Sequence, residues 1–168
     1  MQKPFSQSEY LLQKYIEKPL LINGYKFDIR QWVLLVSCPL KVFIYKEPYL
    51  RFSTHPYQTD DLMNPYVHLT NVSISKNSPN FIKENSMWTT QQFKEFLAEK
   101  HSKDIDEIFS DVRDIVMTVI SSVKHLIGKR ENCFELLGFD IMIDETFKPW
   151  LIEVNSSPAL DYSTVSVS

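Results

Sequence analysis

ELLGFDIMIDETFKPWLIEVN, residues 135–155, holds two apolar runs joined by a short polar turn, and the way those runs lie against each other decides the fold. Both runs have strand periodicity, and the turn ETFK, residues 145–148, makes them a hairpin. Side chains two apart on a strand share a face, so Glu153 and Asn155 project together while Ile152 and Val154 face the other way. If Asp144 pairs with Lys148 or with Pro149, Asp140 comes beside the Leu-Ile-Glu run. The second register puts it directly across from Glu153.

An unpaired glutamate buried in such a strand is costly, so its presence asks for a partner. Two carboxylates and an amide carbonyl are all oxygen donors, which suits a hard divalent cation such as Mg²⁺ better than zinc. Without a cation, two adjacent carboxylates repel or force one to hold a proton. Taken alone, the pair is better explained by an ion pair at Glu153 and a turn cap at Asp140. Upstream charges shift that balance. Lys26, Asp28 and Arg30 in GYKFDIRQW alternate on one strand face, and Arg51 in YLRFST lies on a strand that can pair nearby. Joined to an oxygen-donor cation site, this line of charge becomes a phosphate-handling pocket rather than a solvent face.

The chain has 168 residues, 43% of them hydrophobic and 13% aromatic, enough for one packed domain with a real core. With only three glycines it has no glycine-rich phosphate loop and no Walker lysine motif. A formal charge of −3 gives no drive toward nucleic acid, and basic residues such as Lys100 and Lys103 read as solvated. Cys38 and Cys133 are too few for a disulfide framework or a zinc site, and no run of 18 apolar residues is present. The expectation is a soluble intracellular protein of a reducing compartment, with no membrane partner.

Residues 9–22 are a mostly apolar run stopped at Pro19, followed by an Asn23-Gly24 turn. RQWVLLVS, KVFIYK and YLRFS then read as strands of a small antiparallel sheet, broken at Cys38-Pro39 and Glu47-Pro48. Residues 54–86 are polar and rich in Pro and Asn, too long for an ordinary connection, and read as a functional loop. Thr89 and Gln92 form a capping-box signature before a helix that presents Phe93, Phe96 and Leu97. A longer helix steps from Ile105 to Val123 by threes and fours, with Gly128 placed to end it; this is scaffold.

LLQKYIEKPLLINGYKFDIRQWVLL, YLRFST, HLTNVSISK, ELLGFDIMID and PWLIEVNSSPAL resemble, in order from Leu12 to Leu160, the successive motifs of the tubulin tyrosine ligase-like family, an ATP-grasp group of amino-acid ligases. The resemblance implies an α+β fold, the ATP-grasp-like C-terminal portion, with a mostly antiparallel sheet packed with helices. It implies that residues 1–168 are the C-terminal part of the catalytic domain without the N-terminal lobe, so little or no ligase activity is expected of the chain alone.

By the same resemblance, Gln13, Lys14, Tyr15 and Ile16 lie beside the adenine of ATP, and Lys26 and Asp28 also contact the nucleotide. Arg30 and Arg51 lie by the terminal phosphate and the acceptor carboxylate, and Asp140, Glu153 and Asn155 hold Mg²⁺. His68, Thr70, Asn71 and Lys76 border the substrate pocket, although a turn held by Asn and Thr side chains explains each singly. The implied reaction joins an amino acid to a glutamate side chain of tubulin or microtubules through an acyl phosphate. IEKPLLINGYKFDIRQW, SMWTTQQF and FKPWLIEVNSSPAL are most similar to the glycine-adding branch, so free glycine is the expected donor and glutamate the alternative. Cytoplasm and cytoskeleton, at the cilium or axoneme, are the implied location. A truncated, non-catalytic module that binds microtubules or a partner enzyme is the reading from a different class.

Overall fold

A computed structural model of the chain describes residues 12–128, 131–156 and 158. Residues 9–11 of the first apolar run, and Ser157, Ala159 and Leu160 of the last motif, lie outside the described residues. Seven strands form one sheet: β1 (Leu21–Ile22), β2 (Tyr25–Ser37), β3 (Leu40–Ile44), β4 (Tyr49–Pro56), β5 (Met87–Thr89), β6 (Phe134–Ile143) and β7 (Pro149–Asn155). All the pairings are antiparallel, in the order β5-β4-β2-β6-β7, with β1 and β3 also on β2. Asn23 and Gly24 close the β1–β2 hairpin at φ of 52° and 85°, the left-handed pair that a two-residue turn requires.

Strand β2 is the spine. Its odd positions Phe27, Ile29 and Val33 join Leu50 and Phe52 of β4 and Phe139, Ile141 and Ile143 of β6 in the core. Helices α3 (Thr90–His101) and α4 (Ile105–Val123) cover that face with Phe93, Leu97, Ile105, Ile108, Phe109, Val112, Val116 and Ile120. The rings of Phe27 and Phe93 meet edge to face at 5.5 Å between centroids. Among the described residues no helix is long and apolar enough to cross a membrane.

Local chemistry starts α3 at the expected place: Thr89 Oγ1 accepts from the Gln92 amide, and Gln92 Oε1 accepts from the Thr89 amide. Two expectations need correction. Helix α4 stops at Val123 with Lys124 as its cap, ahead of Gly128, because the residues beyond it face solvent; Leu126 is 74% exposed. Residues 57–86 are not a bare loop but hold the one-turn helices α1 (Pro65–His68) and α2 (Val72–Ser75) and a 3₁₀ turn at Lys83–Asn85.

The β6–β7 hairpin takes the first of its two expected registers, with the Asp144 amide donating to the Lys148 carbonyl at 3.0 Å, and reaches the Asp140–Glu153 pairing through a bulge. Asp144 accepts at Oδ1 from the amides of Thr146 and Lys148, at 2.8 and 3.2 Å, so it organises the turn and Ile143 is the residue opposite Pro149. A straight ladder from there would set Glu153 against Phe139 on the core face. Instead, the register shifts between Asp140 and Ile141, and β7 spends Ile152 as the extra residue of a bulge. Leu151 therefore faces the core opposite Ile141, and Glu153 and Asn155 cross to the other face, opposite Asp140 and Gly138.

Phe93→Ala would remove the ring that joins α3 to the sheet; unfolding stability should fall by about 3–5 kcal/mol, read as a lower denaturant midpoint with an unchanged slope.

Candidate active site

The face of the sheet away from α3 and α4 carries charge. Because β2 alternates, Lys26, Asp28 and Arg30 share it, and cross-strand register supplies the rest: Asp28 lies opposite Arg51, Arg30 opposite Asp140, and Asp140 opposite Glu153. The result is a charge ladder across β4, β2, β6 and β7. Asp28 takes Arg51 bidentately, through Nε at 2.9 Å and through Nη2. Arg51 Nη2 also meets Asp140 Oδ2 at 3.0 Å, and Arg30 reaches the same carboxylate through Nε (2.6 Å) and Nη2 (3.2 Å).

Asp28, Arg30, Arg51 and Asp140 are all buried. Burial opposes the charge on Arg51, but Asp28 and Asp140 outweigh it and raise its pKa, so the guanidinium stays charged. Two arginines and two aspartates neutralise one another, which is what allows such a cluster to lie out of water. Alternation put Asp28 and Arg30 on one face, strand pairing offered Arg51 and the hairpin register Asp140; the structure brings all four together, as ion pairs with one another.

Asp140, Glu153 and Asn155 also converge. Asn155 Nδ2 lies 3.3 Å from Asp140 Oδ2 and 3.1 Å from Glu153 Oε1, so an amide proton pair bridges the two carboxylates. Among the described residues, Glu153 has no Lys or Arg at ion-pair distance, and Asp140 Oδ1 is fully buried with no aligned hydrogen bond. Two facing carboxylates, of which Glu153 is unclaimed by any cation among the described residues while both oxygens of Asp140 already meet guanidinium groups, offer a hard divalent ion one free carboxylate and one shared with the arginines. The expected three-oxygen cradle differs in two respects. Asp140 already serves both arginines, and Asn155 presents its nitrogen rather than its carbonyl. No cluster of three or more His, Cys, Asp or Glu occurs among the described residues, so the amide oxygen is needed to complete the set.

At the other end of β2, Lys26 Nζ donates to the His68 carbonyl at 2.8 Å and to Tyr15 Oη at 3.1 Å. Tyr15 Oη in turn lies 2.8 Å from His68 Nδ1, and His68 Nε2 lies 2.8 Å from the Asp61 carbonyl. Burial lowers the Lys26 pKa to about 8, against the pull of Asp28. The amine is therefore charged at neutral pH and loses its proton as pH rises through 8. In stability terms the cost is present below pH 8 and is relieved from there up to the unfolded value of 10.5, because over that window the unfolded chain holds more protons.

His68 thus ties α1 to Tyr15 and Lys26, with both ring nitrogens engaged. Thr70 is buried, Asn71 caps α2 without a side-chain hydrogen bond, and Lys76 is exposed. The structure does not draw Lys76 into the ladder. Gln13, Lys14, Tyr15 and Ile16 line a cavity of about 480 Å³ with Asp144, Glu145, Thr146 and Trp150, a volume in the range of small-ligand sites. A larger cavity, about 710 Å³, opens between Asn23, Phe52, Asn80 and Trp88, and none of the expected site residues lines it.

Sequence reasoning missed two residues on the charged face. Tyr49 lies opposite Arg30, and alternation with Arg51 on β4 was its signal. Gly138 lies under Arg30: a Cβ built there would fall 2.7 Å from Arg30 Nη1, 3.1 Å from its Cδ and 3.0 Å from Pro158 Cβ. The sequence shows Gly138 only as a break in an apolar run; its need appears once β2 and β6 are paired.

Fold and site define an α+β protein in which helices cover one face of the sheet and a ladder of buried, paired charges occupies the other. The family model of the tubulin-tyrosine ligase family matches residues 1–168, and the chain belongs to that family, whose fold is ATP-grasp-like. It is 43% identical over 158 residues to probable tubulin polyglutamylase TTLL9 of Rattus norvegicus, covering 92% of this chain and 34% of that protein. It is 39% identical over 163 residues to tubulin glycylase 3B of Tetrahymena thermophila, covering 94% and 14%. It is likewise 39% identical over 168 residues to human tubulin polyglutamylase TTLL6, covering 90% and 19%. The chain thus spans about a third or less of the length of these tubulin-modifying relatives.

Gly138→Ala places a methyl group against a guanidinium that Asp140 holds in place. The variant should fold, because the strain falls on the Arg30 and Pro158 side chains rather than on backbone, yet lower the kcat/KM of the activity proposed below for the full-length protein by at least about tenfold. In an Arg30→Ala background the part of the effect that acts through Arg30 should disappear, leaving only the contact with Pro158, which a double-mutant cycle measures.

Proposed function

We propose that the protein is an ATP-dependent ligase that joins an amino acid to a glutamate side chain of tubulin, with this chain forming the C-terminal part of its catalytic domain. The observation that carries the reading is the buried Arg51–Asp28 and Arg30–Asp140 ladder on one sheet face of a ligase-family fold. A module that only held a partner would gain nothing from these charges, since hydrophobic replacements of a buried ion network are often more stable.

The reaction assigns a task to each group. A glutamate carboxylate of tubulin attacks the γ-phosphorus of ATP, giving an acyl phosphate and ADP, and the donor's amine then displaces phosphate to leave an isopeptide bond. Lys26, charged at neutral pH, and Asp28 face the nucleotide, with Gln13, Lys14, Tyr15 and Ile16 beside the adenine. Arg30 and Arg51 steady the transferring phosphoryl group and the acceptor carboxylate, because fixed cations in a dry site stabilise developing charge without reorganising. Asp140, Glu153 and Asn155 are the residues that would hold Mg²⁺, which when bound would neutralise phosphate charge. His68 and Thr70 shape the pocket edge, with Asn71 and Lys76 further out.

The donor is the finer question. The motifs in the sequence favour glycine, whereas the relatives of higher identity are polyglutamylases, and that supports glutamate as the donor, with glycine as the second reading. Action on tubulin supports a cytoskeletal location, with cilium or axoneme as part of the same proposal.

The test is competition between labelled glutamate and labelled glycine on purified tubulin, with the full-length protein, ATP and Mg²⁺. Glutamate incorporation is expected. Glycine alone overturns the donor assignment, and incorporation of neither overturns the ligase reading.

A further inference from the structure

The ladder leaves donors to spare. Arg30 uses Nε and Nη2 on Asp140, and Arg51 uses Nε and Nη2 on Asp28 and Asp140, so Nη1 of each has no hydrogen-bond acceptor among the described residues. Tyr49 stands beside them. It is opposite Arg30 in the β2–β4 register and two residues from Arg51 on the same face of β4.

Its ring is packed, with the whole residue 6% exposed, yet its hydroxyl makes no hydrogen bond among the described residues. The fully buried side-chain polar atoms without a partner are Arg30 Nε, Ser75 Oγ and Asp140 Oδ1, and Tyr49 Oη is not among them. The small exposed part of this side chain therefore includes the hydroxyl, which opens onto the charged face. Buried tyrosines ordinarily find a partner for that group. Burial raises its pKa despite the nearby Arg30 and Arg51, so it stays a neutral donor.

We propose that Tyr49 is a ligand-contacting residue: its hydroxyl, with Nη1 of Arg30 and Nη1 of Arg51, forms a three-donor site for an anionic oxygen of a phosphoryl group or a carboxylate. This deepens the proposed ligase reading and rests on it for the identity of the anion. A neutral hydroxyl suits the place. The ladder is already charge-balanced, so a third cation would need its own counter-ion, whereas a hydroxyl adds a directed donor without one.

Tyr49→Phe removes one oxygen and keeps the packed ring, so it isolates the donor. In the full-length protein, steady-state kinetics of the variant should show KM raised about tenfold or more for one substrate, the range expected for a hydrogen bond to a charged group, with an unchanged Tm of the unliganded protein. A rise confined to ATP identifies the phosphoryl group, and one confined to the amino acid or tubulin identifies the carboxylate. Kinetics within twofold of the wild type overturn the proposal, whether or not Tm falls, since a change in Tm alone makes the hydroxyl structural. If the wild type turns over no donor, calorimetric titration with ATP and with inorganic tripolyphosphate decides. Binding about tenfold weaker in the variant keeps the Tyr49 site while the ligase reading fails, and equal binding, or none by the wild type, overturns the site.

Discussion

Asp140 lies out of water with a guanidinium on either side, Arg30 from the strand it pairs with and Arg51 from one strand further. A lone carboxylate at that depth would be driven to hold a proton, and either arginine alone would leave an uncompensated charge at a cost of several kcal/mol. The three can be buried only together. Asp28 completes the balance by taking the other edge of Arg51, and the register of β4, β2 and β6 is what sets the four in line. A one-residue slip of any of these strands would send the charges into the core and Phe52, Ile29 or Phe139 into the site.

That constraint divides the molecule. One face of the sheet is apolar and closed by α3 and α4, which supply the stability; the other holds balanced charge whose net electrostatic contribution is small. Under the proposed reading, the charged face serves a ligand rather than stability. Glu153 stands at its open end, exposed and without a cationic partner among the described residues, and Lys26 stands at the other, buried with its amine on a carbonyl and a phenol. Between them lies Asp140, shared by both arginines, so under the proposed reading the free carboxylate of Glu153 and the unused guanidinium donors are what a cation and an anion would each find.

Much of this was legible from residue order because the signals are local. The Asn23-Gly24 turn, the Thr89–Gln92 capping box, the three-and-four stepping of α4 and the alternation of Lys26, Asp28 and Arg30 each need only a few neighbouring residues to be read. What escaped depends on pairing. Asp144 lies with Lys148, one of the two registers the residue order allowed, and the bulge at Ile152 then brings Glu153 opposite Asp140; the bulge does not follow from periodicity. Gly138 and Tyr49 carry no motif of their own and matter only through Arg30, a strand away. The end of α4 was misjudged because Gly128 looked like a stop, while the helix had already run out of core to cover.

The central claim is that Glu153, with Asp140 and Asn155, holds the divalent ion that accompanies ATP. Glu153→Gln is the direct probe, because the residue is exposed and bears no ion pair among the described residues, so an amide there should leave the fold intact. Calorimetric titration of ATP into the full-length protein with and without Mg²⁺ should show tighter binding with the ion for the wild type, and that enhancement should vanish in the variant. An enhancement equal in both proteins would contradict the account.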